Sequence, residues 1–168
     1  MSSEYRIEKV PVPATVVLSN GVEMSGHFFQ RPGPVPGEPG EDVRAALNTP
    51  ERFFPFHAKS DGGAPAQVHL LNRRHVVLVR LGDPAGESTL AGSTGITPRK
   101  FATLLLSNGE SVSGVFRVAM PSGRTRISDY ANSEERFCYL EGPEGVFIVN
   151  LDETVDILTF SGAAGDEE

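Results

Sequence analysis

Residues 14–29 (ATVVLSNGVEMSGHFF) return as residues 102–117 (ATLLLSNGESVSGVFR), with nine of the sixteen positions identical. Self-similarity of this kind means one structural unit used twice, and it limits the possible folds more than any other feature of the chain. Within the unit, Ala14, Val16 and Leu18 alternate with Thr15, Val17 and Ser19, the period-two pattern of a strand. Asn20-Gly21 reads as a tight type I′ turn, after which Val22, Met24, Gly26 and Phe28 share the core-facing side of a return strand. Gly26 and Gly114 fall inside that strand in both copies, where glycine marks a sharp bend.

The correspondence continues beyond the hairpin. Residues 41–48 carry acidic residues first and helix formers next, which predicts one or two helical turns; residues 126–132 take that place in the second copy, with Ser128 as a cap. Residues 48–56 (NTPERFFPF) match 132–140 (NSEERFCYL) and predict a third strand, while residues 68–72 and 75–80 match 146–150 and 153–158 as a fourth and fifth. The expected plan is an N-terminal arm (1–13), a first unit (14–81), a Gly/Ser/Thr-rich linker (82–100), a second unit (101–160) and a disordered acidic tail (161–168). The arm ends in Val10-Pro11-Val12-Pro13, and its prolines forbid a central strand but permit an edge or an extended arm. The proline-rich stretch 31–40 is an extended loop.

Composition narrows the class. A chain of 168 residues divided in two leaves each unit near the lower size limit for an independent core, so the two are expected to support each other. Net charge is −7, no run of about 18 apolar residues predicts a membrane span, and the first residues lack the apolar core of a signal peptide; the expected location is the cytoplasm. Cys138 is the single cysteine, which excludes an internal disulfide, and its alignment with Phe54 makes it a buried apolar position.

Five short strands opened by a hairpin, with one short helix, resemble the small β-barrels of the SH3 and Sm-like group. The resemblance covers both copies. Val17-Leu18-Ser19-Asn20-Gly21 followed by Ser25-Gly26-His27-Phe28 is similar to the first Sm signature, and residues 70–77 (LLNRRHVV) resemble the second loosely. The resemblance implies an all-β fold of two tandem five-stranded small barrels, of a kind also found in bacterial domains of unknown function. It does not carry RNA binding across, because the family's Arg-Gly pair is replaced by Arg73-Arg74-His75 in one copy and Leu151-Asp152-Glu153 in the other. Asp129 to Asn132 only approximates the family's Asp and Asn pattern.

Catalytic signatures are missing: there is no Gly-x-Ser-x-Gly elbow, His-Glu-x-x-His, Cys-x-x-Cys or Walker lysine. His27, His57, His69 and His75 all lie in the first copy, but His27 aligns with Val115, His69 with Phe147 and His75 with Glu153, so no metal site, cofactor or enzymatic role is expected. Arg52 and Arg136 recur at one position and read as a repeated fold contact with a helix end or a carboxylate. Asn72 and Asn150 end a strand, where their amides bond backbone.

The copies differ in charge. Residues 1–88 hold nine basic against ten acidic residues, and residues 89–168 hold six against twelve, with Arg73-Arg74 inverted to Asp152-Glu153 at one turn. Such an inversion suits a head-to-tail self-contact or a partner-binding face. The last strand of the first copy is also apolar on both faces, so Val76 and Leu78 are expected between the units or between subunits. The function expected is therefore a non-catalytic binding or assembly module engaging protein or itself, with Arg73, Arg74, His75, Val76, Leu78 and Arg80 as the candidate interaction residues. Nucleic-acid binding through a basic strip of Arg73, Arg74, Arg80, His69 and His75 stands second, because phosphate contacts need a positive face and this chain is acidic.

Overall fold

The protein is described by a computed structural model, which covers residues 9–30, 42–60, 62, 64–81, 99–117, 126–133 and 135–160. The first copy forms β1 (Val10–Leu18), β2 (Glu23–Gln30), α1 (Val43–Leu47), β3 (Phe53–Ala58), β4 (Gln67–Asn72) and β5 (Val76–Leu81); a 3₁₀ turn over Arg73–His75 joins the last two strands. The second forms β6 (Arg99–Leu106), β7 (Ser111–Arg117), α2 (Ile127–Ala131), β8 (Phe137–Gly142), β9 (Gly145–Asn150) and β10 (Thr154–Thr159), with a 3₁₀ turn over Leu151–Glu153. The proline-rich loop, residues 82–98 of the expected linker, and the tail from 161 lie outside the described residues.

All ten strands are antiparallel members of one sheet, in the order β10-β6-β7-β8-β9-β5-β1-β2-β3-β4. This corrects the expectation of two separate closed barrels. Within each copy the fifth strand pairs with the first, yet the fourth and fifth do not pair with each other; instead β9 pairs with β5, Leu78 opposite Val149 and Arg80 opposite Phe147. The joint turns two units into a continuous sheet and leaves β4 and β10 at its ends.

The duplication holds at the level of hydrogen bonds. Thr15 Oγ1 lies 3.0 Å from Ser25 Oγ, and Thr103 Oγ1 lies 2.7 Å from Ser113 Oγ. The β1–β5 ladder skips Val77, and the β6–β10 ladder skips Val155. Each hairpin closes through a three-residue loop, not the two-residue type I′ turn expected: Gly21 N donates to Leu18 O, Leu18 N to Val22 O, and Gly21 sits at φ 88°. Asn20 Oδ1 accepts from Val22 N, so the asparagine holds the loop through its side chain. Gly109 and Asn108 repeat the arrangement.

Gly26 is required by proximity. A Cβ there would lie 2.0 Å from His57 O, and one at Gly114 would lie 2.6 Å from Glu141 O. The third strand pairs with the second at these points and brings its backbone too close for a side chain. β1 starts at Val10, inside the stretch expected to be an arm; Pro11 and Pro13 are accommodated because β5 ends opposite Ala14 and asks nothing of the proline nitrogens. Asp42, not part of the helix itself, caps α1 by accepting from Ala45 N at 2.7 Å. Ser128 does not cap α2, whose N-cap is Arg126 with no side-chain bond.

Two apolar cores result, and each borrows from the other copy. The first combines Val16, Phe28, Phe54 and Phe56 with Phe137, Val146 and Ile148 of the second copy, while the second combines Leu104, Phe116 and Leu140 with Val17, Val77 and Leu78 of the first. Cys138 is fully buried in the second core, and burial pushes its thiol pKa up.

Candidate interaction site

Arg73, Arg74, His75 and Val76 lie where β4 ends and β5 begins, Leu78 and Arg80 farther along β5, and they do different work. Arg73 is 5% exposed. Its guanidinium donates to Leu47 O at 3.0 Å, Ala46 O at 2.8 Å, Phe53 O at 3.2 Å and Glu51 O, and lies over the Phe54 ring. These are the carbonyls at the C-terminus of α1 and along the entry to β3, so Arg73 is a cap that ties helix to sheet. Burial lowers its pKa, opposed by the nearby Glu51 carboxylate. A side chain so occupied is unavailable to a ligand.

Arg80 is equally committed. It pairs with Glu23 of its own copy at 3.1 Å and with Glu110 of the other, clamping the joint. Arg74 and His75 are exposed; the His75 ring nitrogen Nδ1 lies 3.1 Å from Ser19 Oγ, and Arg74 makes no ion pair among the described residues. His69 lies on β4, away from this turn. The basic strip is therefore reduced to Arg74 and His75, joined by Arg52 and Arg136 at the rim of an open cavity of about 880 Å³ that Glu51 and Glu153 also line. Arg136 pairs with Asp152 at 2.5 Å, whereas Arg52 has no such partner among the described residues, Arg74 standing at the Asp152 position. What Arg52 and Arg136 share is the backbone: their carbonyls accept from Arg73 N and Leu151 N.

Val76 and Leu78 are both fully buried, on opposite sides. Leu78 enters the second core at the joint, while Val76 turns into the first. The bulge at Val77 is the cause, since one skipped residue reverses the alternation and sends Val77 and Leu78 to the same side.

Besides the Arg44–Glu135 ion pair at 2.7 Å, two asparagines reach across the joint. Asn48, at the end of α1, donates to Phe137 O and accepts from Phe137 N, both at 2.9 Å, so its amide acts as a strand partner for the other copy. Asn150, fully buried, accepts from Asp152 N and donates to Val76 O at 2.7 Å. The recurrence of Asn48 and Asn132, and of Asn72 and Asn150, marks these positions, but not that one member of each pair reaches across.

The histidines do not gather. His27 and His57 stack as cross-strand neighbours with ring centroids 5.4 Å apart, Phe29 standing edge-on to both. His57 has its pKa lowered by burial, then by His27 and Lys9. Among the described residues no three His, Cys, Asp or Glu side chains are placed to hold a metal ion, and no helix is long and apolar enough to cross a membrane. The chain matches no family model, and no curated protein or solved structure matches it.

Proposed function

We infer that the chain is a non-catalytic binding or assembly module whose working surfaces are the two end strands of its sheet, β4 and β10, each extended by a protein partner. In this reading each copy is a strongly bent five-stranded unit of the small-barrel type, acting in the cytoplasm. The observation that carries it is the apolar exposure of those ends: Leu70 is 69% exposed and Val155 67%. End strands offer unpaired backbone donors and acceptors, and natural proteins guard them with charge or proline unless something is meant to add there. Here Val68 and Leu70 stand exposed on β4, and Val155 and Leu158 on β10 beside a single charge, Asp156.

The test compares material retained from native lysate by the wild type with that retained by Leu70→Lys and Val155→Lys, including a differently tagged copy of the chain itself. Loss of a specific partner in both edge variants supports the reading. Retention indifferent to both substitutions refutes it.

Nucleic-acid binding is the second reading, favoured by the Arg52, Arg74 and Arg136 side chains around one cavity. It expects a single-stranded RNA oligonucleotide to bind at low salt and to be lost with Arg74→Glu. Equal anisotropy for wild type and variant would dismiss it.

A further inference from the structure

The chain already contains one example of what its ends can do. At the internal joint a fifth strand, β5, pairs with a fourth strand, β9. The ends of the sheet are the other fourth strand, β4, and the other fifth strand, β10. We propose that a second copy of this chain docks head to tail, β10 of one chain on β4 of the next, in the register of the internal joint. This rests on the edge-strand reading above and specifies its partner.

The register follows from the repeat. Val79 opposite Ile148 becomes Ile157 opposite Leu70, Leu78 opposite Val149 becomes Asp156 opposite Leu71, and Arg80 opposite Phe147 becomes Leu158 opposite His69. The strands are prepared for it, because β10 keeps the bulge of β5, and β4 keeps on β3 the pairing that β9 keeps on β8.

Exposure points the same way. Ile148 is fully buried in the joint, whereas its counterpart Leu70 is 69% exposed. Val77 and Val155 show the same contrast, as do Phe137 and Phe53, the latter 48% exposed. The polar links have counterparts as well. Asn132 occupies the place of Asn48 and would hold Phe53 of the next chain as Asn48 holds Phe137; Asn72 would reach Thr154 O as Asn150 reaches Val76 O.

Two contacts of the internal joint change both partners together in the proposed one, whereas the Arg44–Glu135 ion pair does not, its counterparts being Ser128 and Glu51. Across the internal joint Arg80 meets Glu110; the counterparts are Leu158 and Val22, both apolar and both exposed. An ion pair is thus replaced by a hydrophobic pair, with no charge left alone. Conversely, Leu78 and Phe147 share the second core, and their counterparts are Asp156 and His69, which the proposed register makes diagonal neighbours on one face. A carboxylate and an imidazole replace two apolar groups together.

Charge supplies polarity. The Arg73–His75 turn lies between β4 and β5, and the Leu151–Glu153 turn between β9 and β10, so every joint sets a basic turn beside an acidic one. Within the chain, Arg74 and Glu153 already line one cavity. A contact of this heterologous kind closes into a ring if the rotation allows and otherwise grows as a filament.

The experiment has two arms on the full chain. Sedimentation and light scattering of the purified protein are expected to show an oligomer that weakens in salt, with Leu70→Lys and Val155→Lys each reducing association about 100-fold while keeping the wild-type circular dichroism spectrum. In the second arm, separately tagged Leu70→Cys and Ile157→Cys chains are mixed and oxidised; the pair should form an intermolecular disulfide, and Leu70→Cys with Asp156→Cys, one residue out of register, should not. A monomer up to ~0.1 mM, or an oligomer blind to both substitutions and giving no disulfide, overturns the proposal. A monomer that nonetheless retains another protein from lysate only when its edges are intact removes the second copy and leaves the edge reading standing. If the edge variants alter neither, both fall.

Discussion

Replacing Arg73 with methionine separates a structural arginine from a ligand-binding one. The side chain donates to four backbone carbonyls between Ala46 and Phe53 and is almost fully buried. Hydrogen bonds from a charged donor contribute about 1.5–3 kcal/mol each, and a buried carbonyl left unpaired costs about 1–3 kcal/mol. The sum overstates the loss, because a neutral side chain is also spared the desolvation that lowers the Arg73 pKa, and the partly buried carbonyls can turn to water. Counting only the buried bond to Leu47 O and one further orphaned carbonyl gives a destabilisation of about 3 kcal/mol. With a urea slope near 2 kcal/mol/M, the midpoint should fall by about 1.5 M. Arg74→Ala, one residue along, exposed and without an ion pair among the described residues, should move stability by less than about 0.5 kcal/mol. Urea titrations followed by far-ultraviolet circular dichroism read both. Equal midpoints for the two variants would show that the Arg73 contacts do not hold α1 to the sheet.

Three further outcomes follow from the same geometry. Gly26→Ala and Gly114→Ala each place a Cβ against a backbone carbonyl of the paired strand, so both should lose more than about 3 kcal/mol or fail to fold, whereas Gly21→Ala, at a left-handed position with open space, should lose about 1 kcal/mol in the same titration. The pKa of His57 is held below its unfolded value by burial, His27 and Lys9, so the unfolded chain binds the extra proton first: stability is full above about pH 6.5 and declines as pH falls through that value, and His57→Gln should flatten the slope in thermal melts at pH 7 and pH 5. The buried, upward-shifted Cys138 thiol should react with a disulfide reagent only as fast as the sheet opens, so labelling should quicken in step with added urea; rapid labelling of the native protein would show the second core to be open.

Much of this molecule was legible in its sequence because the information was local and written twice. Alternation in residues 14–19 and the Asn-Gly pairs located the hairpins, and the matched segments after them located three more strands in each copy. Gly26 and Gly114 were visible as special, although the need they meet is the close approach of the β3 and β8 backbones to β2 and β7. Turn length is not legible in the Asn-Gly pair, because Asn20 is as useful for its side-chain bond to Val22 N as for its backbone conformation. Arg73 and Arg74 look alike as neighbours in sequence, but one points under α1 and the other into water, a difference of direction that no composition records.

By itself the sequence determined that one all-β unit is used twice, where its strands run, and that Cys138 takes the place of a buried phenylalanine. Only the tertiary structure decided how the two units meet. Period-two patterns state which face of a strand is apolar, and say nothing about which edge finds a backbone partner, since strands such as β5 and β9 carry the same donors and acceptors on both edges. The choice of β9 for β5 was made by packing: Ile148 and Phe137 fit the first core, Leu78 and Val77 fit the second, and Asn48 meets Phe137 between them.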